Sequence, residues 1–435
     1  MSAIAIDQPK IEFTEKTLKN GLRVILSEDH IVPIVAVNLW YNVGSADDTP
    51  GRTGLAHLFE HMMFEGSANI DKSEHFKLIS SIGGVNNAST SSFRTNYFEW
   101  APSQHLELLL WLEADRMGGL LKALNQETLD NQRDVVKNER RQTMENVPYG
   151  SWVERLPKLI FPEGHPYHAP VIGSMDDLDG ASLKDVKEFF TTHYSPNNAV
   201  LTIVGDFDPK TAMKWVEKYF GGIARNPKVP PRPQTELPLT IGREARESLR
   251  ERVPLPGVFM AYRAPAHGTR ESDALTVAGV VVGEGRGSRM YQRLVLESIA
   301  AQASLINVEQ PGTSWSVVVG IAYPGIFDDL LEKELLKVID SLKNEPITNE
   351  EMERARAQIE SQFLSQLTSM SNRADFLSEN AMLLGDPSKA NERLQELLSI
   401  TSEEISKVAK EVFVEENRAV VTFLRRPRDV KLPKK

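Results

Sequence analysis

Two distant segments of the chain share one pattern of capped helix, turn and strand. Ser182 begins the helical segment SLKDVKEFFTTHY, and a turn then leads into the apolar stretch AVLTIVGD. Thr401 begins TSEEISKVAKEVF, and a turn then leads into AVVTFLRR. Ser182 and Asn198 are 16 residues apart, and so are Thr401 and Asn417. We therefore predict a duplicated unit that mixes helices and strands.

A proline-rich segment lies between the two copies. NPKVPPRPQTELP, residues 226–238, contains five prolines, which remove backbone donors and favour an extended path. We predict a first half over residues 1–225, a linker over 226–238 and a related second half over 239–435.

The apolar patterns of the first half predict an α+β fold. GLRVILSED, PIVAVNLWYNVG and residues 90–100 are rich in β-branched or aromatic residues, which is typical of strands. TGLAHLFEHMMFEG, HFKLISSIGG and residues 103–124 and 127–146 have apolar residues at helical spacing. Each half should therefore contain a mostly antiparallel sheet flanked by helices.

Composition excludes several classes of function. The net charge is -10 and there is no long basic block, so nucleic acid and anionic membranes are not expected partners. Apolar runs such as residues 275–282 are too short to span a bilayer, and the lack of cysteine excludes thiolate ligands. The first residues do not resemble a signal peptide, so we expect a cytoplasmic protein, or a periplasmic one if the chain is a trimmed mature form.

One predicted helix carries H-x-x-E-H, formed by His57, Glu60 and His61. Four residues advance a helix by about one turn, so both imidazoles can reach one Zn²⁺ from the same face. Glu60 is displaced around the helix, where a carboxylate can take a proton from a zinc-bound water. The motif inverts the H-E-x-x-H of zinc peptidases, although a short motif alone also permits a purely structural helix.

A catalytic zinc needs a third protein ligand and an open coordination position. Glu139 is our candidate, because it lies 78 residues after His61 on a separate helical segment with polar neighbours. We predict one Zn²⁺ per chain, held by the first half, and no metal site in the second half.

Further segments resemble the inverzincin peptidases, the family of pitrilysin, insulin-degrading enzyme and the mitochondrial processing peptidase. They are KNGLRVIL, GLAHLFEHMMFEGS, GGVNNASTS, RDVVKNERR and HPYHAPVIGS, in the family's order over nearly the whole chain. The resemblance implies two similar halves arranged as a clamshell, and a metalloendopeptidase that cleaves peptides or unfolded segments. It also implies that His57, His61 and Glu139 are zinc ligands and that Glu60 is the general base.

The resemblance also implies substrate contacts. Asn87 and Ala88 match a family segment that opens a substrate-binding edge strand, and such a strand offers unpaired backbone groups to an extended peptide. Phe64, one turn after Glu60, is expected near the cleft wall, and a core position explains it equally well.

The chain departs from the family pattern in two places. Many relatives have a Glu seven residues before the third ligand, where this chain has Gln132. Gln132 can hydrogen-bond but brings no negative charge, so we expect it to lie behind the ligands and to tune them differently. Active single-chain relatives also have an Arg and a Tyr in the second half that contact substrate at the transition state. The aligned positions here are Val295 and Gln302.

Loss of that pair would remove transition-state electrostatics while water activation remained. We therefore expect a dimer resembling the processing peptidases, in which a metal-less paralogue supplies the missing Arg and Tyr. Arg289 and Tyr291 are weaker candidates for substitute contacts within the chain.

The alternative function is a non-catalytic assembly or binding subunit of a larger complex. The missing pair favours it, whereas an intact H-x-x-E-H with a third Glu argues against it. A nucleotide-binding enzyme is less well supported, because GEGRGS at residues 283–288 lacks the third glycine of the dinucleotide fingerprint.

Overall fold

The computed structural model describes residues 10–426, which form two compact units. Unit 1 comprises the described residues up to Val136, together with Val171–Pro233 and Gln362–Leu394. Unit 2 comprises Lys137–Pro170, Gln234–Ser361 and the described residues from Gln395 onward. These units differ from two consecutive halves, because one segment of each half belongs to the unit built mainly by the other half.

Each unit contains one β-sheet. The strands, in chain order, are β1 (Thr14–Thr17), β2 (Arg23–Glu28), β3 (Ile34–Tyr41), β4 (Val85–Thr90), β5 (Thr95–Pro102), β6 (Ala199–Gly205), β7 (Ala245–Glu251), β8 (Gly257–Ala264), β9 (Ala300–Val308), β10 (Ser314–Ala322) and β11 (Arg418–Arg425). The sheet order is β1-β2-β6-β3-β5-β4 in unit 1 and β7-β11-β8-β10-β9 in unit 2.

Helices flank both sheets. In chain order they are α1 (Leu55–Met62), α2 (Glu74–Ser81), α3 (Leu106–Gly119), α4 (Gln126–Arg140), α5 (Trp152–Ile160), α6 (Met175–Gly180), α7 (Leu183–His193), α8 (Pro209–Phe220), α9 (Arg270–Gly283), α10 (Asp328–Asn344), α11 (Asn349–Leu367), α12 (Met370–Leu383), α13 (Arg393–Leu398) and α14 (Ser402–Val412). Unit 1 gives way to unit 2 between Val136 and Lys137, which is inside α4. This single helix therefore begins in unit 1, and its last four residues, up to Arg140, are assigned to unit 2. Among the described residues, no helix is both long enough and apolar enough to cross a bilayer.

The two sheets share one topology. β2 runs parallel to β6, β7 runs parallel to β11, and the remaining neighbours are antiparallel. Without the extra edge strand β1, the order β2-β6-β3-β5-β4 corresponds strand by strand to β7-β11-β8-β10-β9. The predicted α+β class with two related, mostly antiparallel sheets is confirmed.

The repeated sequence pattern corresponds to a repeated local structure. Ser182 and Thr401 each form a capping box at the start of α7 and α14. Asn198 and Asn417 each donate a side-chain hydrogen bond of 2.8 Å to the last carbonyl of the preceding helix. This amide fixes the turn into β6 or β11, which explains why the spacing from cap to Asn is equal.

The sheet of unit 1 is buried on both faces. Side chains of β3 alternate between a large core that includes α1, α3 and α7 and a smaller core against α12. In the smaller core, Trp40 packs with Ala374, Leu377 and Ala381 of α12. Strand β3 is therefore apolar almost throughout, as expected of a strand without a solvated face.

A buried polar network fixes α12 to the same sheet. Asp375 Oδ1 accepts hydrogen bonds from Asn38 Nδ2 at 3.0 Å, Trp40 Nε1 at 2.7 Å and Asn96 Nδ2 at 3.0 Å. Helix α5 has the corresponding place in unit 2, where Trp152 stacks on Phe259 of β8 with ring centroids 6.0 Å apart. A helix from each half of the sequence thus completes the unit of the other half.

Two predicted element boundaries were wrong. Residues 90–100 are not one strand, because a turn at residues 91–94 separates β4 from β5. The helix predicted over residues 127–146 ends as an α-helix at Arg140 and continues as one π-helical turn, Arg141–Glu145.

Candidate metal centre

Helix α1 presents the histidines because its apolar residues occupy the opposite face. Leu55, Leu58, Phe59 and Met62 follow the i, i+3, i+4, i+7 spacing and are buried in the core of unit 1. His57 and His61 are half-buried on the remaining face. Their ring centroids lie 4.9 Å apart at an interplanar angle of 75°.

The start of α1 is held by the half-buried carboxylate of Asp48. Asp48 accepts hydrogen bonds from the backbone N–H groups of Gly54 at 2.8 Å and Ala56 at 2.9 Å. Gly54 has φ +84°, and a Cβ there would lie 2.5 Å from the carbonyl oxygen of Ile172. A glycine is therefore required at this entry, and Asp48 satisfies N–H groups that the first turn leaves without intrahelical acceptors.

Glu139 joins the two histidines. One ligand atom from each of His57, His61 and Glu139 lies within 4.8 Å of the other two. Glu139 is on the last turn of α4, just before the π-helical turn Arg141–Glu145. The three predicted ligands are thus brought together by two helices.

This donor set fits a catalytic zinc ion. Two imidazoles and one carboxylate are a known ligand combination for catalytic Zn²⁺, with a fourth position left for water or substrate. All three side chains are half-buried, so the cluster has an exposed side that solvent can reach. His57, His61 and Glu139 would hold the ion.

Glu60 is buried beside this cluster, with 9% of its surface exposed. Thr90, the last residue of β4, donates its hydroxyl hydrogen to Glu60 Oε2 at 2.5 Å. This hydrogen bond orients the Glu60 carboxylate. The sequence analysis missed Thr90 and Asp48, since neither forms a local spacing pattern with the motif.

Asn87 and Ala88 lie on β4, at the edge of the sheet in unit 1. Among the described strands, β4 pairs only with β5, so its other edge is open to an added strand. The side-chain oxygen of Asn87 accepts a hydrogen bond of 2.9 Å from the backbone N–H of Ala88. The predicted edge strand is present, while its role in substrate binding stays a prediction.

Phe64 is half-buried and packs against the core, as one of its two interpretations predicted. Its ring stacks on that of Phe76, with centroids 4.7 Å apart, and the guanidinium of Arg116 lies 4.9 Å from its centre. Phe76 remains 41% exposed. The pair therefore offers an aromatic surface next to the segment that follows α1.

Behind Phe64 lies a second, fully buried cluster. His75, Glu99 and Glu113 approach one another, and Arg116 forms an ion pair with Glu113. Burial raises the pKa of Glu99 to about 8 and lowers that of His75 to about 3. At neutral pH both side chains are therefore uncharged, and the opposite charges of Arg116 and Glu113 cancel each other. The cluster is structural, because a divalent cation would add charge beside a buried guanidinium.

Gln132 lies two turns before Glu139 on α4. Its Nε2 donates a hydrogen bond of 2.7 Å to Glu65 Oε1. The effect of Gln132 on the candidate ligands stays a prediction.

The second-half residues considered for substrate contacts, Arg289, Val295 and Gln302, lie within unit 2. Arg289 is 5% exposed, and its guanidinium binds the carboxylate of Glu351 at 2.6 and 2.9 Å as well as two backbone carbonyls. This side chain is fully used inside the unit and does not replace a substrate contact. Gln302 is exposed on β9, and Val295 ends a π-helical turn. Residues 283–288 follow a helix rather than a strand, which contradicts a dinucleotide fingerprint.

Sequence comparison agrees with the geometry. Residues 23–160 match the family model described as insulinase (peptidase family M16), and residues 180–359 match the peptidase M16 inactive domain. The zinc protease PqqE of Helicobacter pylori is 30% identical over 412 residues, which cover 94% of this chain and 92% of that protein. The chain belongs to peptidase family M16. The resemblance to insulin-degrading enzyme is thereby confirmed.

Further proteins align with this chain over similar lengths. YmxG of Bacillus subtilis, named as an uncharacterized zinc protease, is 24% identical over 92% of this chain and 95% of its own length. The crystal structure of a protease from Helicobacter pylori superimposes with a TM-score of 0.89 at 29% identity, covering 95% of this chain and 99% of that one. A putative M16-like peptidase from Alicyclobacillus acidocaldarius shares the fold, with a TM-score of 0.81 at 20% identity over 97% and 100% of the two chains.

Proposed function

We propose that this M16 protein is a zinc metalloendopeptidase that hydrolyses peptides or unfolded protein segments. The observation that carries the proposal is the approach of His57, His61 and Glu139 to within 4.8 Å, with the buried Glu60 on the same helix as both histidines. The relatives PqqE and YmxG are named as zinc proteases, which supports the choice of metal.

Each group at the site would have a separate role in peptide hydrolysis. His57, His61 and Glu139 would hold a Zn²⁺, which would acidify a water molecule and polarise the carbonyl of the scissile peptide bond. Glu60 would take a proton from that water as the water oxygen bonds to the carbonyl carbon, and would deliver it to the amine that leaves when the C–N bond breaks. The Thr90 hydroxyl donates to Glu60 Oε2 and so orients the carboxylate that handles the proton. The open edge of β4 aligns an extended substrate by backbone hydrogen bonds, which favours unfolded chains over folded ones.

We further propose that a second chain completes the enzyme. Val295 and Gln302 stand where active single-chain relatives have the Arg and Tyr. Arg289 is committed to Glu351 and cannot substitute for them. A metal-less paralogue in a heterodimer would supply both groups.

Cleavage of a quenched fluorescent peptide tests the proposal. We expect Glu60→Gln to lower the rate roughly 10²–10⁴-fold, which is the usual contribution of a general base. Glu127→Gln, which changes an exposed glutamate on α4, is the matched control and should cleave at the wild-type rate.

The same assay with and without the metal-less paralogue tests the second chain. Activity that appears only in the mixture supports a heterodimer, whereas full activity of the single chain refutes it. Absence of cleavage in both samples, despite bound zinc, would instead support the non-catalytic assembly subunit.

A further inference from the structure

A three-residue chain of contacts connects the two helices that carry the candidate ligands. Gln132 on α4 donates to Glu65 Oε1 at 2.7 Å. Lys72 Nζ lies 2.7 Å from the other oxygen, Glu65 Oε2. Glu65 is only 6% exposed, so the hydrogen bond from Gln132 and the charge of Lys72 compensate its carboxylate for lost water.

Each end of this chain is close to a ligand along the sequence. Glu65 follows His61 by four residues, in the turn that ends α1. Gln132 precedes Glu139 by seven residues, so both lie on one face of α4, two turns apart. A hydrogen bond between Gln132 and Glu65 therefore fixes the distance between the histidine helix and the glutamate helix.

The turn after Glu65 is itself rigid. Gly66 has φ +110°, and a Cβ there would meet the carbonyl oxygen of Ile70 at 2.9 Å. Ser67 and Asn69 both donate to Asp115 of α3. The positions of Glu65 and Lys72 are thus held by contacts other than the one with Gln132, so Glu65 is a fixed acceptor for it.

We propose that Gln132, Glu65 and Lys72 form a strut that positions Glu139 relative to His57 and His61. The inference rests on the proposed zinc site and assigns Gln132 as a positioning residue that acts through Glu65. It also explains why residue 132 is an amide. Glu65 offers only acceptor atoms, so its partner must donate, and a carboxylate at residue 132 would face a second buried carboxylate.

Other contacts keep α4 in place when the strut is broken. Arg133 donates to the carbonyl oxygens of Leu178 at 2.8 Å and Ala181 at 2.7 Å. Gln132→Glu should therefore fold, while the ligand geometry becomes less well defined. Changes to groups that orient metal ligands typically weaken metal binding on the order of 10–100-fold.

The test is the zinc dissociation constant of the full-length protein, measured by competition with a chromophoric chelator. We expect Gln132→Glu to weaken zinc binding on the order of 10–100-fold. The double variant Glu65→Gln, Gln132→Glu should recover most of the affinity, because Gln at residue 65 can donate to Glu at residue 132 and still accept from Lys72. Gln126→Glu is the matched control, since Gln126 donates to exposed Asp130 on the same helix and its substitution should leave the constant unchanged.

Thermal unfolding of the metal-free variants separates this role from a merely structural one. Restored zinc affinity in the double variant, with equal metal-free melting temperatures, supports the strut. Unchanged affinity in Gln132→Glu, or no recovery in the double variant, overturns it. A wild-type protein that binds no zinc would contradict the proposed function and the strut together, whereas tight wild-type binding that Gln132→Glu leaves unchanged contradicts the strut alone.

Discussion

Asp375 gives the strongest stability prediction, because one carboxylate oxygen serves three donors from two strands. Asn38 and Trp40 are each 1% exposed and Asn96 is 2% exposed, so water cannot replace the acceptor. In Asp375→Ala each donor loses this acceptor, and an unsatisfied buried donor costs roughly 1–3 kcal/mol. Asn96 Nδ2 keeps a second contact of 3.2 Å to Asn38 Oδ1. We therefore expect Asp375→Ala to lower the free energy of unfolding by about 3–5 kcal/mol, because the loss falls mainly on Asn38 and Trp40.

Hydrogen exchange monitored by mass spectrometry can locate this loss. Every 1.4 kcal/mol is about tenfold in an equilibrium constant. Amides of β3 and β5 should accordingly exchange roughly 10²–10⁴-fold faster in Asp375→Ala, while β8 and β10 in unit 2 stay as in the wild type. Asp375→Asn keeps one oxygen acceptor and should lose about 1–2 kcal/mol.

The matched control is Asp340→Ala, which removes an exposed carboxylate paired with Lys343. An exposed ion pair contributes about 0–1 kcal/mol. Equal effects of Asp375→Ala and Asp340→Ala would refute the conclusion that α12 completes the sheet of unit 1. A loss of protection in β8 and β10 instead would refute it as well.

Three further predictions concern the site and its surroundings. Thr90→Val removes the hydrogen bond to Glu60 and should lower kcat about tenfold with unchanged zinc affinity, whereas an equal loss of zinc would contradict an orienting role. Above pH 6.5 the free energy of unfolding should fall by about 1–2 kcal/mol up to pH 8, because Glu99 has a raised pKa of about 8 and stays protonated in the folded chain but ionises in the unfolded one. His75 does not offset this fall, because its lowered pKa of about 3 makes stability rise with pH only up to about 6.5. Urea titrations should show the fall in the wild type and not in Glu99→Gln. Removal of zinc by a chelator should lower the free energy of unfolding by about 2.7 kcal/mol relative to zinc at 100 times its dissociation constant, and equal melting temperatures with and without the metal would refute binding to the folded state.

The local parts of the site could be predicted from the sequence. The H-x-x-E-H spacing placed His57 and His61 on one face of α1, because helical periodicity alone determines that face. The equal distance from helix cap to Asn predicted the duplicated unit, since a capping box and an Asn-fixed turn are both short-range structures.

Contacts between distant segments could not be predicted. Thr90 reaches Glu60 only because β4 pairs with β5, and no local pattern specifies that pairing. The spacing along α4 put Gln132 on the face of Glu139 but did not show that Glu65 would be its acceptor. Likewise, an apolar helix pattern such as that of α12 shows which face is buried and not which sheet will cover it.

The most direct test of the account measures zinc content and peptide cleavage on the same samples of the wild type, Glu60→Gln and Glu139→Gln, with the metal-less paralogue present. We predict one zinc ion and cleavage in the wild type, one zinc ion without cleavage in Glu60→Gln, and loss of both in Glu139→Gln. Wild-type cleavage by Glu60→Gln, or zinc bound as tightly by Glu139→Gln as by the wild type, would contradict the assignment of this site.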